Sequence, residues 1–323
     1  MGLRRYSVWI SGLVLMTACS GAAQSQNYPS RPIRVILPEV GGVSDLAGRM
    51  IAQDLSASLG QQVVIENQGG GNGVIAAQII LKAQSDGYTL LFNGSNMWLL
   101  QFFQENLPWD AVRDFSPITL AVGTPTMLVT PVSMPATSVK ELIAMAKARP
   151  GELNYASGST GSSAHLAGEL FKSMAGVNIA RIPFKGTGPA VSAVLGEQVQ
   201  LMFTVVTAVL PHVKAGKLKG LAVTSIKPTE LAPGFPTVSA AGLPGYEVSV
   251  LVGFWAPMKT PNAIITRLHG EIVRALTRPD AREKLLGAGA EVIASTPDEF
   301  SAFIKSDIAK WGKVIREAGI RGL

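Results

Sequence analysis

Pro38-Glu39-Val40-Gly41-Gly42-Val43-Ser44-Asp45 joins an apolar run, Ile33 to Leu37, to a helix-patterned segment from Leu46 to Leu59. A strand that ends in proline and paired glycines, followed by a Ser-Asp cap, turns the chain and points backbone N–H groups of the helix start into open space. Those groups, with the helix dipole behind them, favour an anion. The stretch is read as one wall of a carboxylate-binding cleft, with the rest of the chain building the opposite wall.

Outward from it, residues 33–37, 62–67 and 88–93 read as strands and 44–59 and 74–83 as helices. Near-continuous apolar strands separated by helical patterns indicate a parallel sheet covered on both faces. Ligands on such sheets bind at the carboxyl ends of strands, here Pro38, Asn67 and Asn93. Two extended runs, 118–122 and 127–129, broken by Gly123-Thr124-Pro125, read as a first passage between domains.

A second α/β series follows, with strands at 153–156, 180–184, 199–203 and 220–224 and helices at 138–149, 162–175, 189–195 and 208–215. Residues 248–255 read as the return passage. Ser138-Val139-Lys140-Glu141 and Thr296-Pro297-Asp298-Glu299 are capping boxes, and Thr260-Pro261 places a cap before a proline at the first helical position. Phe300, Phe303, Ile304, Ile308, Trp311 and Ile315 form one apolar stripe, expected to dock on the first domain. Two lobes joined by two crossings make a hinge, and a pocket between them can close on a small ligand.

The 323 residues, 47% hydrophobic and 15% charged, exceed one average domain. At the N-terminus Arg4 and Arg5 precede an apolar run from Val8 to Met16, the layout of a secretory signal over 1–23. Leu15-Met16-Thr17-Ala18-Cys19 resembles a bacterial lipobox that would make Cys19 the acylated first residue. Gly21-Ala22-Ala23 instead offers an ordinary cleavage site, and both routes stay open. Cys19 is the sole cysteine, so no disulfide or sulfur-ligated metal is expected in the folded body.

The net charge of +6 falls to +4 once Arg4 and Arg5 leave with a segment that contains no acid. No concentrated basic face exists, Lys214, Lys217 and Lys219 being the nearest approach, so nucleic acid is not an expected partner. No second apolar stretch of about 18 residues follows the signal, so any membrane attachment would be through lipid on Cys19.

The second wall is Ala156-Ser157-Gly158-Ser159-Thr160-Gly161-Ser162-Ser163, leaving a strand and entering a helix that Ser162 or Ser163 can cap. Each helix terminus is worth about 0.3–1 kcal/mol toward a nearby anion, so two converging termini could hold a carboxylate without arginine. The plain alternative is a Ser/Gly turn with no ligand. Lys185, at another strand end before Gly186, is either a point charge for a carboxylate or a surface lysine.

Gly71-Asn72-Gly73 with Ala76 matches a relaxed dinucleotide fingerprint. The acid required at the end of the next strand is missing, because that strand ends in Asn93, so no cofactor is expected. His165, His212 and His269 lie on different predicted helices and not in metal-ligand spacing. Gly158-Ser159-Thr160-Gly161 is one residue short of a nucleophile elbow. His165 near the Ser-rich wall is a candidate base for hydrolysis, weighed against a hydrogen-bonded structural histidine.

Several stretches in order now resemble one family. They include Tyr28-Pro29-Ser30-Arg31-Pro32-Ile33, Gly41-Gly42 with Asp45, Asp86-Gly87-Tyr88-Thr89-Leu90-Leu91, Leu107-Pro108-Trp109-Asp110 and Leu153-Asn154-Tyr155-Ala156-Ser157. His165-Leu166-Ala167-Gly168-Glu169-Leu170-Phe171, Phe184-Lys185-Gly186, Gln198 to Phe203, Ala215 to Leu218 and Gly242 to Tyr246 continue the series. Over essentially the whole mature length the chain resembles the Bug (TctC-like) extracytoplasmic solute receptors of tripartite tricarboxylate transporters.

The resemblance implies an α/β, two-lobed periplasmic binding protein of the type II, Venus flytrap kind with two hinge crossings. Lobe I would be 24–123 plus 250–323, and lobe II 124–249. It implies a non-enzymatic receptor, periplasmic or lipid-anchored, that traps a small carboxylate solute and delivers it to membrane permease subunits. A sensing receptor that docks on a signalling partner is the alternative, and a hydrolase a more distant one.

Family-facing loops carry over as Gly41, Gly42, Ser44 and Asp45; Asn93 and Ser95; Ser157, Ser159, Thr160, Gly161 and Ser162; and Lys185 and Gly186. Thr204 stands where the family commonly has Asp. Pro38 to Gly42 is one residue shorter than the family pattern and carries Glu39, which would repel a carboxylate or prefer a positive group. Asp45 is then a candidate partner for an amine or a water.

Overall fold

Three parallel strands open the chain: β1 (Ile33–Leu37), β2 (Val63–Asn67) and β3 (Thr89–Gly94), with β1 between the other two. The computed structural model describes residues 28–38, 42–70, 73–104, 106–158 and 160–320. β1 leads into α1 (Gly42–Leu59), two residues earlier than predicted, so Ser44 lies inside the first turn and does not precede it. Ala47, Ile51, Leu55 and Leu59 recur every four residues and are buried, which presses α1 onto one face of the sheet. The other face takes α2 (Val74–Leu81) through Ala76, Ala77 and Ile80.

α3 (Asn96–Leu99) and a 3-10 turn (Leu100–Phe102) follow β3. Then comes β4 (Phe115–Pro131), a single strand of 17 residues. This corrects the expectation of two runs broken at Gly123-Thr124-Pro125. Thr124 pairs with Val250 and Pro125 with Ser249, so the backbone stays extended through the proline. At Gly123 the ends of the Ile293 and Leu251 side chains come within 2.9 and 3.1 Å of where a Cβ would stand, so a larger residue would have to displace them.

The second series comprises α4 (Val139–Ala148), β5 (Asn154–Ser157), α5 (Ser163–Ala175), β6 (Ala180–Pro183), α6 (Thr187–Leu195), β7 (Leu201–Val205), α7 (Val206–Lys214) and β8 (Leu218–Val223). The return strand is β9 (Ser249–Pro257), and the tail is α8 (Asn262–Thr277), α9 (Pro279–Gly287), β10 (Glu291–Val292) and α10 (Pro297–Glu317). The sheet order is β2-β1-β3-β9-β4-β7-β5-β6, with β8 and β10 also on β4. β4 changes partners along its length: up to Pro125 it pairs with β9, and from Thr126 it pairs with β7, with β8 joining from Met127.

Of the predicted caps, Thr296 and Glu299 form the full box. Ser138 accepts from the Glu141 N–H, but the Glu141 carboxylate accepts from the N–H and hydroxyl of Thr137, one residue further out. Pro261 occupies the cap position of α8, not its first turn, and the Thr260 hydroxyl donates to the Pro257 carbonyl. The α10 stripe packs on an aromatic cluster in which Phe300 lies 4.7 Å from Trp255 and 6.1 Å from Trp98 between ring centroids. The Trp98 indole N–H donates to the buried Asp307 carboxylate at 2.8 Å, tying α10 to α3.

Candidate ligand-binding cleft

The loop between β5 and α5 is built from within. Ser157 is fully buried, and its hydroxyl accepts from Arg181 Nε at 2.7 Å and donates to the Gly158 carbonyl. The same guanidinium donates to the Gly158 carbonyl at 2.9 Å and to Thr160 Oγ1 at 3.3 Å. One arginine thus holds three consecutive described points of the loop, and among the described residues no carboxylate forms a salt bridge with it. Its positive charge is thus held behind the loop by bonds to neutral oxygens.

Ser162 caps α5 by accepting the His165 N–H at 3.3 Å, and Gly161, at φ 79°, donates its own N–H to His165 Nδ1 at 3.1 Å. A ring nitrogen that accepts from a backbone N–H carries no proton, so the neutral ring bears it on Nε2. Burial, aided by the nearby Arg181 charge, pushes the His165 pKa down to about 4. With its lone pair committed to Gly161, His165 supports the loop. The geometry favours the structural histidine over the candidate base.

From the other side comes the end of β3. Gly94 approaches β9 so closely that a Cβ would sit 2.7 Å from the Leu251 carbonyl oxygen, so no larger residue fits without moving the backbone. The approach places Ser95 and Asn96 at the rim of a cavity of about 270 Å³. Thr160, Gly161, Ser162 and Ser163 line the same cavity from the α5 side. The Phe103 ring bridges the two sides: a Cβ on Gly161 would lie 3.2 Å from it.

Of the residues singled out in the sequence, Ser95, Thr160, Gly161 and Ser162 line this one cavity. The other predicted residues that the structure describes do not line this cavity. Asp45, in the first turn of α1, is 8% exposed; it accepts from Asn67 Nδ2 at 3.0 Å and pairs with Arg49 at 3.1 Å, so its carboxylate is already engaged within the protein. Asn93 is buried, with Oδ1 accepting the Gly94 N–H, while its Nδ2 has no hydrogen-bond partner among the described residues. That amide faces Gly73, at the start of α2. Lys185 and Gly186 are exposed at the start of α6, and Thr204 is buried in β7 opposite Met127. Gly42 is the first residue of α1. Gly41, Ser159, Glu39 and Cys19 lie outside the described residues.

Sequence reasoning missed Arg181, Phe103 and the α10 residues Asp307 and Lys310, which also line the cavity or hold its rim. Arg181 reaches a loop more than twenty positions earlier because β5 and β6 are parallel neighbours, with Tyr155 opposite Arg181. Only the pairing of those two predicted strands could have pointed to it.

Comparison with known proteins places the molecule among the solute-binding proteins. A TctC solute-binding protein from Polaromonas, without ligand, superposes with a TM-score of 0.82 at 26% identity, covering 90% of this chain and 99% of that one. Rpa4515 of R. palustris with adipate superposes with a TM-score of 0.74 at 34% identity, covering 92% and 100%. The protein BugT of Bordetella pertussis is 36% identical over 316 residues, 97% of each chain. Residues 47–320 match the family described as the tripartite tricarboxylate transporter family receptor, and the chain belongs to that family. The fold is a mixed α/β fold of periplasmic binding proteins, not one that marks an enzyme.

Proposed function

We propose that the protein is a periplasmic receptor that captures a small carboxylate solute between two lobes, 24–123 plus 250–323 and 124–249, and delivers it to the permease subunits of a tripartite tricarboxylate-type transporter. The observation that carries this reading is the convergence of Ser95 from one side and Thr160, Gly161 and Ser162 from the other on one cavity. The α5 N-terminus and the Arg181 guanidinium both favour a negative group there. The adipate bound to Rpa4515 is of the same chemical class.

Hinge closure is part of the proposal. The bending line falls where β4 changes partners, between Pro125 and Thr126, and where β9 begins at Ser249.

The test is thermal unfolding of the mature protein, stripped of co-purified ligand by unfolding and refolding, against mono-, di- and tricarboxylates, acidic amino acids and aromatic acids. A ligand at about 100 times its Kd adds about 2.7 kcal/mol, which raises Tm by several degrees. A rise confined to carboxylates is expected. No rise with any of them removes Ser95 and Thr160 to Ser162 from an anion site.

A further inference from the structure

A second cavity, of about 330 Å³, is lined by Arg31, Arg34, Tyr88 and Thr89 where β1 and β3 begin, and by Lys82 where α2 ends. β1 and β3 run parallel, and Ser95, on the rim of the first cavity, follows the other end of β3. The length of that strand, about 17 Å at about 3.3 Å per residue, therefore separates the two places. The charged residues on the wall of the second cavity are Arg31, Arg34, Lys82 and Asp86. Even with Glu66, which pairs with Arg34 from the neighbouring β2, one positive charge is left over.

The acids here hold the arginines in place and leave part of each guanidinium free. Arg34 puts Nε and Nη2 on the two Glu66 carboxylate oxygens, both at 2.7 Å. Arg31 puts Nη2 on Asp86 at 2.8 Å, with its guanidinium 4.3 Å from the centroid of the Tyr88 ring. Among the described residues Arg34 Nη1 and Arg31 Nε and Nη1 donate to nothing, and Lys82 forms no salt bridge. Carboxylate oxygens lie in one plane, whereas those of a phosphate diverge, so donors arriving from three side chains suit the phosphate. We propose that this cavity binds an anionic phosphate group, either free or at the head of a lipid. The proposal is independent of carboxylate capture in the cleft. The lipid source draws on position in the chain: Tyr28, whose hydroxyl donates to the Gly87 carbonyl at 2.6 Å, is at the same end, and Cys19 is nine positions earlier. An acyl chain on Cys19 would hold Tyr28 within about 32 Å of a bilayer.

Two measurements test it: phosphorus NMR of inorganic phosphate titrated with the protein, and flotation of the non-acylated protein with phosphatidylglycerol or phosphatidylcholine vesicles. Saturable broadening of the phosphate resonance is expected, with affinity weakened about fivefold or more by Lys82→Gln and by Arg31→Gln. The rise in Tm with carboxylates should be the same in both variants, since neither side chain lines the first cavity; a loss of both responses together would overturn the separation of the two sites. Flotation with phosphatidylglycerol but not phosphatidylcholine, lost in both variants, supports the site and names the lipid head as its source. Phosphate binding without flotation supports it and names the free ion. Phosphate binding unaltered in both variants would place the anion elsewhere and overturn the site, and acetate that displaces phosphate at equal concentration would overturn the choice of phosphate. Neither saturable phosphate binding nor flotation overturns the proposal outright, and leaves the carboxylate receptor standing. Circular dichroism and Tm of each variant show that it is folded before its affinity is read.

Discussion

His165 shows how one side chain ties stability to the cleft. Its ordinary pKa is about 6.5 when exposed in an unfolded chain and is pushed down to about 4 in the fold. The unfolded state therefore binds more protons between those values, and stability falls as pH drops from about 6.5 toward 4. The shift corresponds to a loss on the order of 3 kcal/mol. Protonation also takes the lone pair that accepts the Gly161 N–H, so ligand affinity should fall through the same window. Urea unfolding of the native protein and of His165→Gln from pH 7 to 4 checks this: the native midpoint should drop more steeply. Parallel curves would show that His165 is not the group responsible. His165 was legible as a histidine near the Ser-rich wall; its buried environment, which decides its protonation, was not.

At the scale of elements, the β5–α5 loop, proposed as an anion wall, is held in shape by the neighbouring strand β6. The capping serine at 162 could be read from local pattern, since a cap bonds within its own turn. Arg181 could not, because its bonds to Ser157, Gly158 and Thr160 cross between strands. Hydrogen bonds from a charged group contribute about 1.5–3 kcal/mol each. Arg181→Met should leave the far-ultraviolet circular dichroism unchanged and weaken carboxylate binding about tenfold or more. Arg181→Lys, which keeps the charge but loses the fork, should recover only part of that loss. Equal affinity in native and Met forms, measured by calorimetry, would separate this loop from the ligand. The same contrast explains β4. Gly-Thr-Pro locally reads as a break, but pairing with β9 keeps the backbone extended across it.

For the whole molecule, the proposed closure about β4 and β9 predicts a smaller radius of gyration with ligand in small-angle scattering. The change should saturate with the same concentration dependence as the thermal shift; a constant radius under saturating ligand would exclude lobe closure. The alternation of apolar strands and amphipathic helices was determined by the sequence alone, as were the Thr296–Glu299 cap and the small-residue loops at strand ends, because each depends on neighbours within a few residues. Order in the sheet, the switch of β4 between partners, the hydrogen bond from Asn67 to Asp45, and the cavity joining Ser95, Thr160, Phe103 and α10 were decided only by tertiary structure. Their determinants are contacts between residues tens to hundreds of positions apart, which no local pattern encodes. The pKa of His165 depends on how such distant groups are buried together.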